Sequence, residues 1–160
     1  MNIFCTHLCP IQSALALDDK RVVKMVVETA QMLSAALHRH GYEKSDIYKP
    51  SYVKHPCTLW AGNTRTNFTW LCDHGLALCA IYSAIYGREH KSQSIIQKCH
   101  DLVAHIPDGD LREFADCTEF KTYTNLSIHE RYRMFMNLKW NTRDKTPPKF
   151  TRRKTPTWKR

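Results

Sequence analysis

The 160-residue sequence predicts an all-α protein, a compact single-domain helical bundle with a short extended segment at its N-terminus and an extended basic tail at its C-terminus. Three observations predict it. Two long stretches, residues 19–40 and 64–86, carry apolar side chains at helical spacing over most of their circumference. Helix start and stop residues bracket these and several shorter segments. Strand-like alternation is scarce, and no internal repeat is present.

Residues 2–5 read as a short strand or an extended lead-in. Pro10 is placed as a first-turn proline, and Ile11–Leu17 reads as a short helix. Asp18 or Asp19 then caps a long helix to about His40, with Gly41 as its stop. His55-Pro56 opens a short helix through Trp60, and Thr64 or Thr66 starts the second long helix, which ends near Tyr86-Gly87. Another helix fits Ser92–His105. Ser127-x-x-Glu130 is a capping-box pattern for a last helix through Trp140. The prolines at 147, 148 and 156 then exclude regular helix, so residues 141–160 read as an extended or mobile tail on a 1–140 helical domain.

The charge is unevenly distributed. The chain carries a formal net +9, yet residues 139–160 hold nine basic side chains against Asp144 alone, leaving +1 on residues 1–138. Clustered basic charge suits a phosphate-backbone binder, so DNA is the expected partner; a merely solubilising tail is the alternative. No stretch reads as a membrane span, and the N-terminus lacks a signal-peptide layout. The seven cysteines are odd in number with no repeated C-x-x-C pair, which suits unpaired thiols in a reducing cytoplasm. Cys72 and Cys79 read as core residues. Cys5, His7 and Cys9 lack a second ligand pair, so no metal is expected. Phosphate-cradling glycine loops are absent, and no cofactor is expected.

On the first long helix, Lys20, Lys24, Glu28 and Gln31 share a narrow polar arc. Lys24 and Glu28 stand one turn apart, either as an acid/base and amine pair or as an ordinary surface ion pair. On the second, Asn67 and His74 fall on an apolar stripe, as satisfied core groups or as site residues. His55, Trp60, Asn63, Asn67 and Trp70 crowd into sixteen residues. With His74, these supply what a base pocket needs, namely stacking faces and edge hydrogen bonds; a Trp-rich hinge is the alternative. Arg88, His90 and Lys91 form either a phosphate clamp or a favourable helix end, and Arg152, Arg153 and Lys154 in the tail are further phosphate contacts.

The order of Asp19-Lys20-Arg21-Val22-Val23-Lys24-Met25, Glu28-Thr29-Ala30-Gln31, His55-Pro56, Asn67-x-x-Trp70, Tyr86-Gly87-x-x-His90 and Tyr132-Arg133…Lys139-Trp140 resembles a family of small helical phage-encoded proteins. More distantly it is similar to the endonuclease-V-type pyrimidine-dimer DNA glycosylases. The resemblance implies that Glu28 matches a catalytic glutamate assisting imine formation and proton transfer. It also implies an N-terminal-amine nucleophile exposed by methionine removal. Asn2 is poorly suited to that processing, which makes Lys24 the substitute candidate. The expectation is thus a DNA-acting glycosylase/lyase in the cytoplasm of an infected bacterium. A transferase acting on a hypermodified thymine and a non-catalytic nucleic-acid-binding or host-takeover protein are the alternatives. Oligomeric state is left open.

Overall fold

A computed structural model describes all residues, Met1–Arg160, and contains six α-helices and no strand. These are α1 (Pro10–Leu15), α2 (Asp19–Arg39), α3 (Pro56–Ala61), α4 (Arg65–Tyr86), α5 (Gln93–Asp101) and α6 (Ile128–Leu138). A 3-10 turn, Val103–His105, follows α5, and a π turn, Lys139–Arg143, extends α6 past Trp140.

Local chemistry sets most boundaries. Thr64 caps α4, its hydroxyl accepting from the Asn67 N–H, and Gly87 ends the helix at φ +67°. Gly41, at φ +83°, follows α2. The expected capping box at Ser127 and Glu130 forms in full at the start of α6. The helix expected over residues 92–105 is shorter, because the last turn tightens into the 3-10 turn.

The two long helices lie against each other at the centre, flanked by α1 on α4 and by α5 on both. Their contact is close at Gly75, where an added Cβ would stand 2.6 Å from Thr29 Cγ2 and 3.0 Å from Ile96 Cδ1. The expectation that no stretch approaches a membrane span needs correcting. By length and composition α4 is apolar enough to cross one. Half of that stretch is buried inside the protein, so its apolar surface is used in the bundle centre.

Residues 2–5 form an irregular lead-in, neither strand nor extended segment. Ile3, Phe4 and Cys5 are buried in the core, and Phe4 packs against Tyr132 and Phe135 of α6. Arg133 Nε donates to the Thr6 carbonyl at 2.9 Å, and the His129 ring meets the Cys5 carbonyl at 2.8 Å. The N-terminal segment therefore bonds α6 to the body.

The basic tail is extended, and it is held on the body along much of its length. Asp19 N–H donates to the Lys149 carbonyl, and the Asp19 carboxylate accepts from Thr151 and pairs with Arg153 at 2.9 Å. Trp158 stacks on Trp140 at 5.5 Å, and Phe150 meets the Trp140 edge at 5.7 Å. Burying tail aromatics against α6 offsets the entropy that a free tail would keep.

Candidate active site

The first long helix turns its polar arc toward the N-terminus of the chain. Glu28 lies on that arc, yet only 9% of it is exposed, because residues 1–4 cross over it. Its Oε2 accepts the Asn2 backbone N–H at 3.0 Å, and the Met1 α-ammonium stands 3.9 Å from the same oxygen. Lys24 Nζ, on the solvent side, lies 3.3 Å from Oε1. The carboxylate is thus shared between a backbone donor and two amines.

Asn2 fixes the position of that α-amine. Its Oδ1 accepts from both the Ile3 and the Phe4 N–H, at 2.8 and 2.9 Å, folding residues 2–4 into a side-chain-closed turn. The turn carries Phe4 at φ +56°, a backbone region that a bulky side chain rarely adopts. Three contacts hold it there. Phe4 packs on α6, its carbonyl accepts from Ser13 Oγ at 3.1 Å, and the same carbonyl accepts the Thr6 N–H.

Around Glu28 opens a small cleft of about 230 Å³, lined by Met1, Asn2, Phe4, Lys24, Glu28, Cys117, Phe135 and Lys139. Sequence reasoning passed over Lys139 as a member of the site. Its ammonium sits 4.7 Å from the centre of the Phe135 ring. Burial, with Arg21 and Arg143 nearby, lowers its pKa from the ordinary lysine value. His55 borders this region from α3. Burial, followed by the charge of the N-terminus, lowers its pKa against the opposing pull of Glu28. Its Nδ1 accepts the Cys57 N–H at 3.2 Å and so caps α3.

The structure separates the other expected base-binding residues from this cleft. Trp60, Asn67, Trp70 and His74 are buried core residues, which corrects the expectation that they frame a base. Trp60 stacks on Phe114 at 4.8 Å and donates its Nε1–H to the Arg112 carbonyl. Trp70 stacks flat on His74 at 5.2 Å and donates to the Leu8 carbonyl. Asn67 uses its amide to clip the end of α3 to the following loop, donating to the Trp60 carbonyl and accepting the Arg112 N–H, both at 2.8 Å. With faces and edges already occupied, none of these groups is free for a base. His74 has no hydrogen-bond partner, and burial pushes its pKa down to about 3, so it is a neutral packing group.

Asn63 is exposed and accepts from Arg39, which lies about 16 Å along α2 from Glu28 at 1.5 Å per residue. Arg88 and Lys91 are exposed, and neither they nor His90 line the Glu28 cleft. Of the tail residues, Arg153 is occupied by Asp19, Arg152 donates to the Ala84 carbonyl at 2.9 Å, and Lys154 is exposed.

A buried carboxylate holding an α-amine, beside a lysine of lowered pKa, is chemically suited to amine attack on an electrophilic carbon with proton transfer at Glu28. No curated protein and no solved structure matches the chain. The family model described as pyrimidine dimer DNA glycosylase matches residues 1–91, more than half of the sequence, and this stretch includes Met1, Lys24 and Glu28. On that match the chain belongs to the pyrimidine dimer DNA glycosylase family.

Proposed function

We propose that the protein is a DNA glycosylase/lyase acting on a pyrimidine lesion or modified pyrimidine, with the N-terminal α-amine as nucleophile and Glu28 as its acid/base partner. The observation that carries this reading is the placement of that amine 3.9 Å from a carboxylate made nearly inaccessible by the chain's own first residues. In this reaction the neutral amine attacks C1′ of the deoxyribose and the C1′–N1 bond breaks, with the electron pair leaving on the base. The resulting iminium is resolved by β-elimination and hydrolysis. Glu28 takes the ammonium proton before attack and returns a proton to the opening sugar ring.

The reading does not depend on whether Met1 is retained. Its removal would hand the α-amine to Asn2 N, which already stands 3.0 Å from Glu28 Oε2. This revises the expectation that Lys24 substitutes as nucleophile. The Lys24 side chain is 67% exposed and reaches Glu28 from the solvent side, whereas the Met1 side chain beside the same carboxylate is 1% exposed. Lys24 and Lys139 instead flank the cleft as cations suited to the two phosphates beside the target nucleotide.

Six tail cations, Lys145, Lys149, Arg152, Lys154, Lys159 and Arg160, have no carboxylate partner, while Arg143 and Arg153 do. They supply general attraction to the DNA backbone. The deciding experiment is borohydride trapping on duplexes carrying a cyclobutane pyrimidine dimer or a modified thymine, followed by peptide mass spectrometry. An adduct on the N-terminal peptide is expected. An adduct confined to Lys24 or Lys139, or none on any substrate, would overturn the assignment.

A further inference from the structure

Beside the cleft, three soft donors meet from two segments distant in sequence. His55 and Cys57 stand at the start of α3, with the imidazole capping the helix and the Cys57 thiol fully buried. Cys117 arrives on the loop between α5 and α6. There its N–H donates to Tyr132 Oη at 3.1 Å, and its carbonyl accepts from Asn2 Nδ2 at 3.4 Å. The two sulfurs are 3.5 Å apart, and the donor atoms of all three residues lie within 4.8 Å of one another.

We propose that His55, Cys57 and Cys117 form a metal site for a borderline-soft divalent cation of the zinc type, with its fourth position open toward the Glu28 cleft. The spacing fits. A tetrahedral centre with metal–sulfur bonds of about 2.3 Å holds two sulfurs about 3.8 Å apart, a few tenths of an ångström from the observed distance. Two sulfurs and one imidazole favour zinc-type ions over magnesium or calcium, which take oxygen. Cys117 lines the cleft, so the fourth ligand comes from there as water or a substrate oxygen.

Ligation through sulfur releases the thiol protons to solvent. His55 offers one ring nitrogen within reach of both sulfurs, while its Nδ1 accepts the Cys57 N–H.

This site goes beyond the glycosylase reading, and its test does not use activity. The full-length protein, reduced with a phosphine and stripped by chelator, is titrated anaerobically with Co²⁺ as an optical probe. A thiolate-to-cobalt charge-transfer band and visible tetrahedral bands should saturate at one equivalent and be displaced by Zn²⁺. Cys117→Ser should weaken the thiolate band and His55→Asn the tetrahedral bands, while Cys9→Ser and Cys79→Ser keep both. His55→Asn retains a capping side chain, and thermal melts confirm that each variant is folded. The proposal is overturned by octahedral cobalt alone, by bands unchanged in folded Cys117→Ser, or by absence of binding while the thiol count shows Cys57 and Cys117 reduced.

Discussion

Replacing Glu28 by Gln separates chemistry from architecture, because the amide is the same size and its oxygen still accepts the Asn2 N–H. The structural cost can be worked out from the contacts. The Lys24 pair, with an exposed lysine, contributes about 0.3–0.5 kcal/mol. Turning the charge-assisted bond from Asn2 into a neutral one loses about 1 kcal/mol. The expected destabilisation is therefore about 1–2 kcal/mol, or roughly 3–8 °C in Tm for a domain of this size. Losing a general acid/base costs about 10²–10⁴ in rate, equivalent to about 3–5 kcal/mol of barrier. Single-turnover cleavage of a dimer-containing duplex measures the second quantity, and calorimetry or circular dichroism the first. DNA retention, followed by fluorescence anisotropy, should change little. A rate loss below tenfold would refute the acid/base role. Equal losses of rate, DNA retention and folded population would show that Glu28 acts only as a buried anchor for residues 1–4.

Three further outcomes follow from the same geometry. Lys139→Gln should weaken DNA binding and lower the salt-dependence slope by about one unit, as expected for one lost phosphate contact, leaving Tm nearly unchanged; an unaltered slope removes Lys139 from the interface. Gly75→Ala should be destabilising by about 1–3 kcal/mol in urea melts, because the 2.6 Å approach to Thr29 outweighs the roughly 1 kcal/mol helix-propensity gain. A rise in midpoint would show that α2 and α4 can separate cheaply. His74 is held neutral in the folded state down to about pH 3, whereas the unfolded chain protonates it near 6.5. The unfolded state then binds the extra proton, so stability falls as pH drops from 6.5 toward 3, by about 1.4 kcal/mol per pH unit from this residue. His74→Phe should flatten that part of the stability–pH curve, and a curve parallel to wild type would refute the assignment.

Residues with strong local signals were readable from sequence. Thr64, Gly87, Gly41 and the Ser127–Glu130 box mark boundaries by chemistry confined to one or two turns, and the structure keeps them. Glu28 stood out through its one-turn spacing from Lys24 on a mostly apolar helix and through the family resemblance. What covers it was not readable. Residues 1–4 follow no periodicity, and their turn is closed by the Asn2 side chain at φ values that no propensity predicts. The dense run from His55 to Trp70 misled for a related reason. Its aromatic and amide groups have the chemistry of a base pocket, but loop residues about fifty positions away occupy them, including Arg112 and Phe114. Composition shows which groups need partners and is silent on whether the chain already provides them. The tail was legible as basic and non-helical, while its attachment rests on Trp158 and Asp19 contacts more than a dozen residues apart in sequence.

The family match ends at residue 91, and the cleft does not. One wall, Met1, Asn2, Lys24 and Glu28, lies within the matched stretch. Its opposite wall, Cys117, Phe135 and Lys139, comes from the loop before α6, α6 itself and the π turn. These halves are joined mechanically. Asn2 bonds both the Glu28 side and the Cys117 carbonyl, while Phe4 wedges against α6. A substitution in the far wall therefore acts on the position of the α-amine as well as on whatever enters the cleft. In the proposed reaction the amine must meet C1′ at bonding distance, where a misplacement of about 1 Å costs on the order of 10²-fold in rate. Under that proposal the unmatched half bears on rate through the geometry of the matched half, and on substrate choice through the ring and cation it presents.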